Sequence, residues 1–228
     1  MFEFLFIDLD DTILDFKKAE HVAVQKTLKE FGMEPTPQVC QRYSDINRLH
    51  WEALEREELT REQVLVGRFK MLFAEHGMQI DATACARRYE GNLSVGHYFL
   101  PGAEEAVKSL SQKYKLYLAS NGTAKVQWPR LESAGIGKYF QDIFISQEIG
   151  FNKPAKEYFE GCFARIPDFD KAKTMIVGDS LSSDILGGKT AGIVTCWVNP
   201  GHKKCSPEEC PDYEIESLSQ LEGLLETI

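Results

Sequence analysis

The sequence predicts an α/β fold: a doubly wound parallel sheet with a block of helices inserted behind its first strand. Three observations predict it. Short apolar segments alternate with amphipathic helical ones through the second half of the chain. A matching apolar segment at residues 2–9 opens the chain and belongs to the same sheet. Between the two lies a stretch from about Lys17 to His97 with helical periodicity and no convincing strand.

Residues 2–9 are β-leaning and end on a carboxylate cluster, the pattern of a buried strand. Segments 19–31, 39–57, 61–76 and 82–92 are rich in Glu, Lys, Arg, Ala and Leu, and Val22, Leu28 and Phe31 recur at helical spacing. Gly32, Pro35, Pro37, Thr60 and Gly77 punctuate these segments, so about four helices are expected. After Pro101 and Gly102 the alternation begins, with helices at 103–112, 123–134, 156–164, 183–191 and 218–225. The strands between them fall at 116–120, 143–146, 174–178, 194–198 and 213–215. The expected division is a core of residues 1–16 and 98–228 and a helical cap of residues 17–97, joined by two chain crossings.

Hydrophobic residues make up 43% of the chain and charged residues 27%, which fits a globular protein rather than a disordered one. The longest apolar runs are far too short to cross a bilayer, and the N-terminus lacks the basic lead of a signal peptide, so a cytoplasmic protein is expected. The net charge of −9 is the wrong sign for coating a nucleic-acid polymer. It also repels phosphorylated metabolites, so a phosphate site must supply its own local cations. Six scattered cysteines form no C-x-x-C pair, and reduced, buried thiols are expected. His202, Cys205 and Cys210 have the wrong spacing for a zinc knuckle and lack a fourth ligand. Nothing in the sequence specifies an oligomeric state.

In doubly wound sheets, ligands bind beyond the carboxyl ends of the strands. Four strand ends here carry polar residues: Asp8, Asp10, Asp11 and Thr12 after the first, Ser120 and Asn121 after the second, Lys153 after the third, and Asp179 with Asp184 after the fourth. Asp8, Asp10 and Asp179 brought together repel one another, which is tolerable with a cation among them or with some carboxyls protonated. Few oxygen ligands suit Mg²⁺. Such a centre attracts phosphate, to which Ser120, Asn121 and Lys153 offer hydrogen bonds and charge. Asp8 is the natural nucleophile and Asp10 the natural acid and base, while Asp11 and Thr12 turn the chain. Asp184 is expected as a cap, as a support for the metal ligands or as a ligand itself.

With these motifs in place, the sequence resembles the haloacid dehalogenase superfamily of phosphotransferases. The motifs are LFIDLDDT at 5–12, LASNG at 118–122, NKP at 152–154 and VGDSLSSD at 177–184. The resemblance implies a Rossmann-like core with a helical cap after the first strand. It implies Asp8 as nucleophile, Asp10 as acid/base, and Mg²⁺ on Asp8, the Asp10 carbonyl and Asp179. It implies Ser120 and Lys153 on the phosphoryl group. Dehalogenase members lack an acid two residues after the nucleophile, so Asp10 favours phosphate esters over carbon–halogen bonds. Segments 8–16 and 183–199 look like the pyrimidine 5′-nucleotidase branch, which implies a nucleoside monophosphate as substrate. Phe16, Trp51, Tyr89, Tyr98 and Trp128 could each stack on a base or belong to a core. A sugar-phosphate or phosphoglycolate-type phosphatase, a phosphomutase and a non-catalytic phosphate-binding module remain open alternatives.

Overall fold

The computed structural model describes residues 2–228. Six parallel strands form one sheet in the order β3-β2-β1-β4-β5-β6. They are β1 (Phe4–Ile7), β2 (Lys115–Ser120), β3 (Asp142–Ile145), β4 (Thr174–Gly178), β5 (Val194–Val198) and β6 (Tyr213–Ile215). The first strand is shorter than the expected 2–9, because its partners β2 and β4 pair with it only over Phe4–Ile7.

Successive side chains of a strand point to opposite faces, and both faces here are apolar. Leu5, Ile7, Leu118 and Val177 pack on one side, against Val107, Leu131 and Leu221. These last three lie on α5 (Ala103–Leu110), α6 (Ala124–Ala134) and α10 (Leu221–Thr227). Phe4, Phe6, Phe144 and Ile176 pack on the other, against Tyr158 and Phe159 of α8 (Lys156–Phe163) and Ala191 of α9 (Leu186–Ala191). A single-turn helix not anticipated from the sequence, α7 (Ser146–Ile149), follows β3 directly. Its four residues are too few to show a helical period.

Between β1 and α5 the chain makes four helices: α1 (Phe16–Glu30), α2 (Pro37–Glu55), α3 (Arg61–Glu75) and α4 (Ala82–Leu93). Each begins at a polar cap. The Asp15, Thr36 and Asp81 side chains accept from backbone N–H groups, and Thr60 with Gln63 forms a capping box. The four enclose their own apolar centre around Leu28, Tyr43, Phe69 and Tyr89. Val22 lies on the outer side of α1 and is 44% exposed; Ala19, Ala23, Val24 and Leu28 form the buried stripe instead.

Two crossings join this block to the sheet, and they are bonded to each other. Asp15 N–H donates to the Tyr98 carbonyl, and Leu100 N–H donates to that of Ile13. Cys40, Cys85, Cys162 and Cys196 are buried thiols, whereas Cys205 and Cys210 lie in the open connection between β5 and β6. His202 faces Glu216 across 3.3 Å. Among the described residues no helix is long and apolar enough to cross a membrane.

Candidate active site

The carboxyl ends of β1, β2 and β4 meet the helical block around a cavity of about 400 Å³. Asp8 continues β1, its N–H bonded to the Val177 carbonyl of β4 at 2.9 Å. Asp179 follows β4, and its carbonyl accepts from the Trp197 indole at 2.8 Å. The next turn is a π-helical one, Leu181–Ile185, capped by Ser180. Asp184 is therefore inside a turn rather than at its N-cap. Its Oδ2 accepts from Ser180 N–H at 3.1 Å, and the side chain points back over the sheet. Gly178 makes this possible, because a Cβ there would come within 2.1 Å of Asp184 Oδ2.

Asp8, Asp179 and Asp184 each bring a carboxylate oxygen within 4.8 Å of the others. Lys153 is fully buried beside them. Its ammonium donates to Asp8 Oδ1 at 2.8 Å, Asp184 Oδ1 at 2.6 Å and the Ala119 carbonyl at 2.7 Å. All three of its N–H groups are thus engaged by the protein. Burial pulls the ammonium pKa down, but Asp184 and Asp8 outweigh it, and the pKa ends above the ordinary lysine range. Burial, with repulsion from Asp184 and Asp10, raises the Asp8 carboxyl to about 7 against the pull of Lys153. Burial also raises Asp179 well above the carboxylate range, with Asp8 and Asp184 adding repulsion. When ionised, three carboxylates against one ammonium leave an excess of negative charge. Their all-oxygen donor set fits a hard divalent cation, which would neutralise that excess.

The Asp10 side chain stands apart from this cluster. Its Oδ2 accepts from Gln127 Nε2 and its Oδ1 from Arg130 Nη1, each at 2.6 Å. Ser120 Oγ accepts from Gly122 N–H at 3.1 Å and Gln127 Nε2 at 2.9 Å, so the hydroxyl proton is left to donate elsewhere. The Asn121 side chain is engaged by the backbone of Lys153. It clamps the Lys153 backbone, accepting from its N–H at 2.8 Å and donating to its carbonyl at 2.9 Å. Asp11 turns the chain at φ 58° and accepts from the N–H groups of Phe16 and Lys17.

The helical block reaches the rim through Arg61, Glu55 and Glu90, the last accepting from Thr123 Oγ1 at 3.4 Å. Arg61 donates to the Asn121 carbonyl at 2.8 Å and to Ser146 Oγ at 2.7 Å. Burial lowers its pKa to about 10. Glu55 accepts from Ser182 Oγ at 2.7 Å, and burial raises its carboxyl to about 7. Phe16 and Trp51 line the cavity together with Arg48 and Arg68. Of the other aromatics, Tyr89 is interior to the helices, Tyr98 lies under Lys18, and Trp128 is 42% exposed with its indole on Glu148.

The model of the haloacid dehalogenase-like hydrolases matches residues 5–198. The chain belongs to that family. Among its haloacid dehalogenase-like relatives is the HAD-hydrolase YfnB of Bacillus subtilis, 40% identical over 97% of this chain and 94% of the relative. The pyrimidine 5′-nucleotidase PynA of Streptococcus pneumoniae is 37% identical over 96% of this chain and 93% of its own. The pyrimidine 5′-nucleotidase YjjG of Escherichia coli is 29% identical over 98% and 97%. The crystal structure of YfnB bound to magnesium superposes with a TM-score of 0.94 over 98% of both chains. In this haloacid dehalogenase-like hydrolase, Gln127, Arg130, Arg61 and Glu55 are among the site neighbours that the motifs do not contain. Gln127 and Arg130 had a readable signal, a polar pair three residues apart on the helix that opens after Ser120 and Asn121.

Proposed function

We propose that this hydrolase is a magnesium-dependent phosphomonoesterase acting through a phosphoryl group on Asp8, with nucleoside 5′-monophosphates, pyrimidine ones first, as substrates. The observation that carries the chemistry is the set of three converging carboxylates at the floor of a cavity, two of them bonded to Lys153. The substrate class rests on the likeness to PynA and YjjG along nearly the whole chain. The cavity volume falls in the ~300–1,000 Å³ range of small-molecule sites. A sugar-phosphate phosphatase would use the same floor and differ only in the leaving group.

Mg²⁺ would be held by Asp8, Asp179 and the Asp10 carbonyl, with Asp184 beside them, and would supply charge neutralisation for the phosphoryl oxygens. In the first step an Asp8 oxygen bonds to phosphorus, the ester oxygen leaves, and Asp10 gives that oxygen a proton. In the second step Asp10 takes a proton from water, the water oxygen bonds to phosphorus, and the Asp8–phosphorus bond breaks to release phosphate. Ser120 donates its hydroxyl proton to a phosphoryl oxygen, and Lys153 acts on the same group through its charge. A direct bond from Lys153 to the phosphoryl group needs one of its three present acceptors to let go. The role of Asn121 is to fix the Lys153 backbone.

Residues 17–97 act as a cap over the cavity, and leaving-group selectivity belongs there because Trp51 and Arg68 line the cavity from that side. Replacing this block by the cap of a sugar phosphatase should move the substrate profile with it; an unchanged profile would remove the assignment. The function itself is tested by phosphate release from a broad panel of phosphate esters with Mg²⁺ and with EDTA. The expected result is metal-dependent release, strongest on pyrimidine nucleoside monophosphates. Strongest release on sugar phosphates would discard the nucleotidase and keep the mechanism, and no release at all would discard both. Asp10→Asn should lower kcat by roughly 10²–10⁴-fold, the scale of general acid–base catalysis. A loss under about tenfold would mean that another group moves the proton.

A further inference from the structure

Asp10 is gripped from behind by two residues of α6. Its side chain is 26% exposed, whereas Arg130 is fully buried. Gln127 and Arg130 lie three residues apart, on one face of the helix, and each gives one short bond to a different Asp10 oxygen. The grip is itself held. Arg130 Nη1 also donates to Gln127 Oε1 at 2.8 Å, and Arg130 Nε donates to the Gly96 carbonyl at 2.7 Å. Gly96 belongs to the return crossing between α4 and α5, so the guanidinium is fastened at both ends. Gly122 leaves the room for this, because a Cβ there would lie 2.3 Å from Gln127 Nε2.

Stability alone does not account for the arrangement. Arg130 Nη2 is buried without a hydrogen-bond partner among the described residues, a cost that an apolar side chain of similar length would not carry. Both Asp10 oxygens already accept a hydrogen bond. That suits a carboxylate about to take a proton better than a carboxyl about to give one.

We propose that Arg130, with Gln127, is the positioning residue that aims Asp10 at the water of the second step, so that it governs release of phosphate from Asp8. The inference rests on the roles given above to Asp8 and Asp10. Both residues line the cavity, and the role assigned to them is exerted through the orientation of Asp10. Loss of a fixed orientation of this kind costs about 10²-fold when the group shifts by an ångström.

The test is single-turnover quench-flow with the ³²P-labelled ester that the wild type hydrolyses fastest, in Mg²⁺, on the full chain. Arg130→Met and Gln127→Leu are compared with the wild type, and Arg130→Lys restores a charge without the fork. Label on the protein should form in Arg130→Met and then decay about 30–100-fold more slowly than in the wild type, so that phosphoenzyme accumulates. Gln127→Leu should show the same accumulation to a smaller degree, and it stands in if Arg130→Met does not fold. Arg130→Lys should fall between Arg130→Met and the wild type. If labelling and turnover fall in the same proportion, or if dephosphorylation is unchanged in both variants, the inference is wrong. A wild type that never carries label, and an Asp8→Asn protein no different from it, would instead overturn the phosphoenzyme reading itself.

Discussion

Asp8→Asn should reduce phosphate release to below about 10⁻⁴ of wild type, the scale seen when a covalent nucleophile is removed. An amide nitrogen cannot replace the attacking carboxylate, and the amide oxygen is a poor nucleophile. The fold should survive. The substitution conserves shape, and Lys153 keeps its bonds to Asp184 and the Ala119 carbonyl. It also removes one of three mutually repelling carboxylates, the one that burial and its neighbours hold at about 7. In EDTA the variant should melt at or above the wild-type temperature, and Mg²⁺ should raise its melting temperature less than that of the wild type. Activity together with melting in EDTA and in Mg²⁺ separates the roles. Turnover within tenfold of wild type would take the nucleophile away from Asp8. Lost turnover with a collapsed melting temperature would make the residue structural.

The parts of this site that a sequence reader finds are those fixed by strand ends. A buried strand that stops at a carboxylate delivers it to the rim of a parallel sheet whatever the rest of the chain does, and Asp8, Ser120 and Asp179 are all delivered in this way. The helical insert was equally legible, because its caps and breaks are local signals. Side-chain direction was not. Asn121 and Ser120 are neighbours in one motif, yet Asn121 turns to the Lys153 backbone while Ser120 keeps a free proton. Asp184 reads as a helix start, but a π turn that the sequence does not announce places it over Gly178. Arg61 lies 60 residues from its partner Asn121, and Arg130 lies 120 from Asp10. Contacts of that separation are set by how the helical block seats on the sheet, and no local pattern encodes them. The aromatics divided for the same reason. Trp51 faces the cavity and Tyr89 the helical interior, although both sit on amphipathic helices.

Lys153→Met should be the most destabilising single change in the site and should also slow the reaction. Among the described residues the ammonium is the one cation in contact with Asp8 and Asp184, and it fills space that methionine can occupy without charge. Removing one partner of a buried ionic cluster costs about 3–5 kcal/mol, because the remaining charges are left without compensation. The loss should depend on pH in a definite sense. With its pKa raised to about 7, the folded Asp8 keeps a proton that the unfolded chain has released from about pH 4 upward. Stability contributed by such a group is present at low pH and is lost as pH rises through that window. Lys153 opposes the rise, so its removal carries the upper edge of the window higher. Urea unfolding in EDTA should therefore show a small difference between variant and wild type near pH 5 and the full one near pH 8. Saturating Mg²⁺ should recover part of the deficit, because a divalent cation binds the same carboxylates. It should not recover the rate, which is expected to stay about 10²–10³-fold down for want of the charge beside the phosphoryl group. A deficit equal at every pH and untouched by Mg²⁺ would mean that Lys153 matters here through packing alone.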